Sequence, residues 1–147
     1  MKTKDPKQVK ILFVCTGNAG RSQLAQALFQ RLAGDAVVAL SAGVEPWPDL
    51  HPVAVKILRE RGFDVHQLHP KHVGGFVAEP LDFVITIGDR ARAEIPAFEH
   101  NPVILHWDIA DPADADGTGR ERRVFDVTTA RIEARLPELL ESVFGRR

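Results

Sequence analysis

Apolar residues arrive in two rhythms along this chain. Val9-Lys10-Ile11-Leu12-Phe13-Val14 is an almost unbroken β-rich run, the pattern of a strand buried on both faces. After it, Leu24, Ala25, Leu28, Phe29 and Leu32 recur at helical spacing within residues 22–32, and Gly34 is placed to stop that helix. Residues 36–41 read as a second strand. Residues 52–61 read as a helix carrying Val53, Val55, Ile57 and Leu58, closed by Gly62. A third strand covers 82–87, followed by a polar, alanine-containing segment up to Pro96, and a short fourth strand covers 102–105. Residues 108–119 hold Pro112, two glycines and several aspartates and read as a loop. From 120 to 144 the pattern is one long amphipathic helix, with Val124, Val127, Ile132, Leu136 and Leu140 on its apolar side and Pro137 as a candidate kink.

Strands that alternate with helices predict parallel βαβ units in a doubly wound α/β sheet. A short charged lead, residues 1–8, precedes what reads as a single domain over 9–147, with no repeats or internal linkers. In such sheets ligands bind beyond the carboxyl ends of the strands, where both Cys15 and the 108–119 loop are expected to lie.

Composition narrows the functional classes. With 44% hydrophobic and 27% charged residues over 147 positions, the chain can build an ordinary core. A net charge of -1 gives no support for a nucleic-acid or membrane-surface partner. No apolar run reaches the roughly 20 residues of a membrane span, and the start lacks the apolar core of a signal peptide. The one cysteine cannot form an internal disulfide, so the cytoplasm is the expected compartment.

That cysteine stands in Cys15-Thr16-Gly17-Asn18-Ala19-Gly20-Arg21-Ser22, between a strand and a helix. A loop wrapped from strand to helix can aim the backbone N–H groups of Thr16 through Arg21 at one point. The result is an anion nest, reinforced by the helix N-terminus. The same field favours thiolate over thiol, and Ser22 can hydrogen-bond the sulfur. Arg21 supplies a planar fork matched to two oxyanion oxygens, while Gly17 and Gly20 allow close approach of backbone to ligand. Cys15 is therefore the candidate nucleophile on a tetrahedral oxyanion such as phosphate or arsenate. A nucleotide-binding P-loop is excluded, because the Gly-Lys-Ser/Thr ending is missing.

The run Val14 to Ser22 resembles the signature of the low-molecular-weight protein tyrosine phosphatase superfamily, which includes arsenate reductases of the same fold. The similarity continues through Ser41-Ala42-Gly43, Leu50-His51-Pro52-Val53-Ala54-Val55, His106-Trp107 and Asp111-Pro112, and so spans nearly the whole chain. It implies a three-layer, four-stranded parallel sheet with helices on both faces. It also implies that Asp111 is the general acid, in a loop stiffened by Pro112. Asn18 and Ser41 are expected to brace the cysteine loop, and His106-Trp107 to support the acid loop.

The resemblance leaves two activities open. Phosphatases of this family usually carry an aromatic residue after Asp-Pro; here it is Ala113, and the chain has no tyrosine. The run His106 to Ala113 more closely resembles the arsenate reductase branch. Thioredoxin-coupled members of that branch carry two further cysteines, and the matching positions here are Gly88 and Ile95. Gln26 also stands where their potassium-binding pattern has an acidic residue. The leading expectation is an arsenate reductase with one cysteine, no bound cofactor or metal, and an external thiol such as glutathione, mycothiol or a glutaredoxin-like protein. The alternatives are an aryl phosphatase working through a phosphocysteine, with Trp47 as an aromatic wall, and an oxyanion-binding regulatory protein with little catalysis. His66, His69 and His72 have metal-like spacing, but Pro70 interrupts them, and a solvated loop is the expected reading.

Overall fold

The computed structural model describes residues 8–145, so all of the 1–8 lead except Gln8 lies outside the described residues. Its centre is β1 (Val9–Cys15), flanked by β2 (Val37–Gly43) on one side and β3 (Phe83–Ile87) on the other. Beyond β3 lies β4 (Val103–Trp107), so the order is β2-β1-β3-β4 with every pair parallel. The chain starts in the middle, winds outward once, then crosses back to wind the other way, as a doubly wound sheet does.

β1 is hydrophobic on both faces because both are covered. Ile11, Phe13 and Cys15 face a core shared with α1 (Arg21–Ala33), α2 (Pro52–Glu60) and α4 (Glu121–Phe144). Leu12 and Val14 face a second, smaller core with Val73, Phe98 and Ala91 of α3 (Asp89–Glu94). Phe13 is fully buried, its ring 6.0 Å from Phe29 edge-on and 5.7 Å from Trp107. Burying a side chain of that size stabilises the fold by about 2–3 kcal/mol. Among the described residues no helix is long and apolar enough to cross a membrane.

Several element ends differ from the sequence pattern. β2 runs on to Gly43 and β4 to Trp107, and the polar segment after β3 contains the short α3. The loop at 108–119 is also not featureless, since Pro112–Ala115 forms a 3-10 turn. Leu32 and Val127, assigned to inward faces by spacing, are about half exposed. The inward face of α4 is instead Phe125, Thr128, Thr129, Ile132, Leu136 and Leu139, and the helix runs on through Pro137. The threonines can be buried because their hydroxyls donate to the carbonyls of Val124 and Phe125 one turn earlier, so no polar group is left unpaired.

The in-register pairing of β1 with β2 sets Cys15 opposite Gly43 at the last rung. A Cβ at position 43 would stand 2.6 Å from the Thr16 carbonyl oxygen, so only glycine lets the loop after β1 fold back over this rung.

Candidate active site

The loop leaving β1 is held from outside. Val44 N–H donates to Cys15 O (3.1 Å), Glu45 N–H to Thr16 O (2.8 Å), Trp47 N–H to Gly17 O (2.9 Å) and His51 N–H to Ala19 O (2.9 Å). Gln23 Nε2 donates to Asn18 O, and Leu24 N–H to Gly20 O. Every carbonyl from Cys15 to Gly20 is thus engaged. With the carbonyls tied away, the loop is arranged to present N–H groups to an anion. One of them already does so: Asn18 N–H donates to Cys15 Sγ at 3.3 Å.

Asn18 is the keystone. It holds a left-handed φ of 51°, a conformation that asparagine tolerates better than most residues. Its Nδ2 donates to Ser22 Oγ at 2.7 Å, while its Oδ1 accepts from Lys71 N–H at 2.9 Å and Gln23 Nε2 at 3.2 Å. Ser22 Oγ in turn lies 2.9 Å from Cys15 Sγ, in the place expected of a hydroxyl that steadies a thiolate. Burial pushes the Lys71 ammonium below the usual lysine range. Ser41, expected to brace the same loop, does something else: its buried hydroxyl donates to Gln26 Oε1 on α1.

Arg21 opens α1 and is 4% exposed. Its Nη1 donates to the carbonyls of Ile109 (2.8 Å) and Ile87 (3.3 Å), and its Nη2 to Thr16 Oγ1 (3.4 Å). The guanidinium is therefore pinned by backbone at the ends of β3 and β4, which fixes its plane before any oxyanion arrives. Gly88, with φ +91°, makes room for it: a Cβ there would sit 2.2 Å from Arg21 Nη1. Gly88 and Ile95 are the two caps of α3, so both positions matched to the missing cysteines border that one short helix.

Asp111 approaches from the other side. Its Oδ2 lies 3.5 Å from Arg21 Nη2, its Oδ1 accepts from Ala113 N–H, and Pro112 behind it is buried. Cys15, Gly17, Ala19, Gly20, Arg21 and Asp111 share the lining of one cleft, about 260 Å³ with its open mouth. The residues over the floor were only partly legible in the sequence. Trp47, left open there, lines the cleft, and its indole covers Gly17 so closely that a Cβ would meet it at 2.7 Å. His51 and Phe125 complete an aromatic row, with ring centroids 5.6 Å (Trp47–His51) and 4.5 Å (His51–Phe125) apart. His51 sat in a quoted motif, but nothing local marked it as a wall; Phe125 carried no signal at all. Ala113, next to Pro112, also lines the cleft.

His66, His69 and His72 each engage a close neighbour: Asp64 Oδ1, Gln67 O and Gly74 N–H respectively. His106 lies on β4, its Nδ1 2.7 Å from Thr86 Oγ1, and desolvation holds its pKa below the ordinary histidine value. Trp107 beside it is buried against Phe13.

A buried arginine, a strand-end thiol and a loop whose carbonyls are all engaged line one cleft on a doubly wound sheet. The sequence model described as low molecular weight phosphotyrosine protein phosphatase matches residues 10–146, and the chain belongs to that family. The arsenate reductase of Halalkalibacterium halodurans is 35% identical over 128 residues, covering 84% of this chain and 91% of that protein. Among solved structures, arsenate reductase from Archaeoglobus fulgidus superposes with a TM-score of 0.67 at 28% identity, over 86% of this chain and 98% of that one. The Corynebacterium glutamicum thioredoxin-dependent arsenate reductase gives a TM-score of 0.70 at 31% identity, over 94% of this chain; this chain spans 63% of that longer one.

Proposed function

We propose that the chain is an arsenate reductase that uses Cys15 as its only internal thiol and takes its electrons from an external one. The observation that carries this reading is Ala113 in the cleft lining, at the position after Asp-Pro where phosphatases of this family usually carry an aromatic wall for an aryl ring. The relatives at about a third identity, named arsenate reductases, point the same way.

The steps follow from the groups present. Arg21 and the loop N–H groups hold arsenate, whose charge they offset. The Cys15 thiolate attacks arsenic, and one arsenate oxygen leaves as water on accepting a proton from Asp111. An external thiolate then attacks the Cys15 sulfur. The S–As bond breaks, its electron pair reduces As(V) to As(III), and arsenite departs, leaving a mixed disulfide on Cys15. A second thiol releases Cys15 by exchange. With a single cysteine in the chain, an internal disulfide relay has no second sulfur. Glutathione, mycothiol and a glutaredoxin-like protein are the proposed donors, and the reducing cytoplasm is the compartment that keeps them reduced.

The row Trp47–His51–Phe125 favours a second reading, hydrolysis of an aryl phosphate, since an aromatic wall stacks on a phenyl ring by about 1 kcal/mol. One assay separates the two: purified protein with arsenate and each thiol system in turn, thioredoxin included, beside phenyl phosphate. Thiol-dependent arsenite release that disappears in Cys15→Ser is the expected result. Fast phenyl phosphate turnover without any thiol-dependent arsenite would overturn the reductase reading.

A further inference from the structure

His51 links the cysteine loop, the aromatic wall and the end of the acid loop. It is the N-cap of α2 and 5% exposed; its Nδ1 accepts from Val53 N–H at 3.1 Å, so the ring proton belongs on Nε2. Nε2 lies 2.8 Å from Asp116 Oδ1, at the far end of the acid loop. The backbone N–H of the same residue donates to Ala19 O in the cysteine loop, and its ring packs at a tilt between Trp47 and Phe125 in the cleft wall.

Asp116 is well placed to control Asp111. The two flank the 3-10 turn Pro112–Ala115, which is closed by Asp114 N–H to Asp111 O (3.2 Å) and Asp116 N–H to Ala113 O (3.0 Å). A single hydrogen-bonded turn begun by a buried proline is a short, stiff strut. Held at Asp116, it orients the carboxyl at Asp111; released there, Asp111 keeps its local bond from Ala113 N–H and its ion pair with Arg21, which draws it toward the anion floor. Asp116 itself is exposed, so His51 supplies the buried, fixed end of the link.

We infer that His51 is a positioning residue for the general acid: its Nε2–H latches Asp116, and through the 3-10 turn fixes Asp111 in the cleft it shares with Cys15. The inference rests on the reading that Asp111 protonates the leaving oxygen. It differs from a mere helix-cap role, and three variants separate the two. His51→Asn keeps a side-chain oxygen for Val53 N–H but cannot span to Asp116. Asp116→Ala removes the acceptor and leaves the cap untouched. Asp116→Asn keeps an acceptor oxygen at the same reach.

The experiment has two arms on the full chain. Hydrogen exchange of amides 113–116, measured without substrate, should quicken about tenfold in His51→Asn and Asp116→Ala and stay near wild type in Asp116→Asn. In turnover, kcat for thiol-dependent arsenate reduction, and for phenyl phosphate where wild type hydrolyses it, should fall about tenfold in the first two variants, with KM within about twofold. The loss should be smaller for p-nitrophenyl phosphate, whose leaving group needs less protonation, and Asp116→Asn should recover kcat to within about threefold. Unchanged exchange at 113–116 in Asp116→Ala overturns the latch. So does a kcat loss equal for both leaving groups, or an Asp116→Asn as impaired as Asp116→Ala. If wild type turns over neither ester nor arsenate, the reading of Asp111 fails, while the exchange arm still decides whether the latch exists.

Discussion

The cysteine loop and the acid loop line one cleft, and they are held in different ways. From Cys15 to Gly20 every carbonyl has a partner, the key side chains Asn18 and Ser22 are fully buried, and Arg21 is pinned by two backbone oxygens. The acid loop is buried only at Ile109 and Pro112; Asp114, Asp116 and residues 117–120 are exposed. Its links to the rest of the site are few: Arg21 to the Ile109 carbonyl and Asp111, and His51 to Asp116. The contrast matches the work each loop has to do. Charge is stabilised best by dipoles fixed before it develops, so the anion loop is built rigid. The proposed proton donation by Asp111 would take place at the edge of the cleft, where an exposed loop with few ties suffices.

The largest effects should come from the rigid side. Cys15→Ser removes the nucleophile and should cut turnover about 10⁴-fold or more, while phosphate affinity by calorimetry stays within about threefold. An equal loss of phosphate binding would mean that the sulfur, rather than the tied backbone, organises the nest. On the acid side, Asp111→Asn should lower kcat for a poor leaving group by about 10²- to 10³-fold and leave oxyanion affinity nearly unchanged. A variant that lost binding and kept kcat would make Asp111 part of the anion floor.

Stability should divide along the same line. Asn18→Ala removes bonds to Ser22, Gln23 and Lys71 together and puts alanine at a left-handed φ. Leaving buried partners unsatisfied costs about 1–3 kcal/mol, and the backbone conformation about 1–2 more. Thermal denaturation should therefore show a Tm several degrees lower, with weaker phosphate binding. The counterpart in the acid loop, Asp114→Ala, changes an exposed side chain and should leave Tm within about 1 °C. Similar losses at both positions would erase the distinction between the loops.

How much of this could be read in the sequence depended on how local each feature is. The cysteine loop is eight consecutive residues whose geometry follows from their order, so the convergence of Cys15, Arg21 and Ser22 in one place was legible. The alternation of patterns likewise made the parallel sheet legible. Asp111 could be chosen only through resemblance, because Asp-Pro is a common turn dipeptide. The cleft wall was not legible: Trp47, His51 and Phe125 come from three separate elements, and only folding brings their rings within 6 Å of one another along the row. Spacing placed Ile132, Leu136 and Leu140 toward the core but misplaced Val127 and missed Thr128 and Thr129, which look polar until their hydroxyls are seen to bond back along the helix. Ser41 looked like a loop brace because it ends a strand near Cys15, but Gln26 takes its hydroxyl.

The smallest effect is expected under the acid loop, at His106. Its ring is mostly buried on β4, Nδ1 faces Thr86 Oγ1, and Nε2 is buried without a hydrogen-bond partner. Desolvation lowers its pKa from 6.5, and Arg92 adds to the lowering, while Asp89, Asp108 and the Thr86 backbone oppose it. The folded state therefore binds this proton less readily than the unfolded chain. Stability from His106 is complete above the unfolded value near 6.5 and is lost as pH falls through it toward the lower folded value. Tm should decline modestly between about pH 7 and pH 5, and His106→Gln should flatten part of that slope. Hydrogen exchange near pH 5.5 should then show earlier opening at β4 and the acid loop than at residues 15–22. Parallel slopes in wild type and His106→Gln would assign the acid sensitivity to other groups. Earlier opening at the cysteine loop would show that its dense ties, rather than those of the acid loop, are the weaker set at low pH.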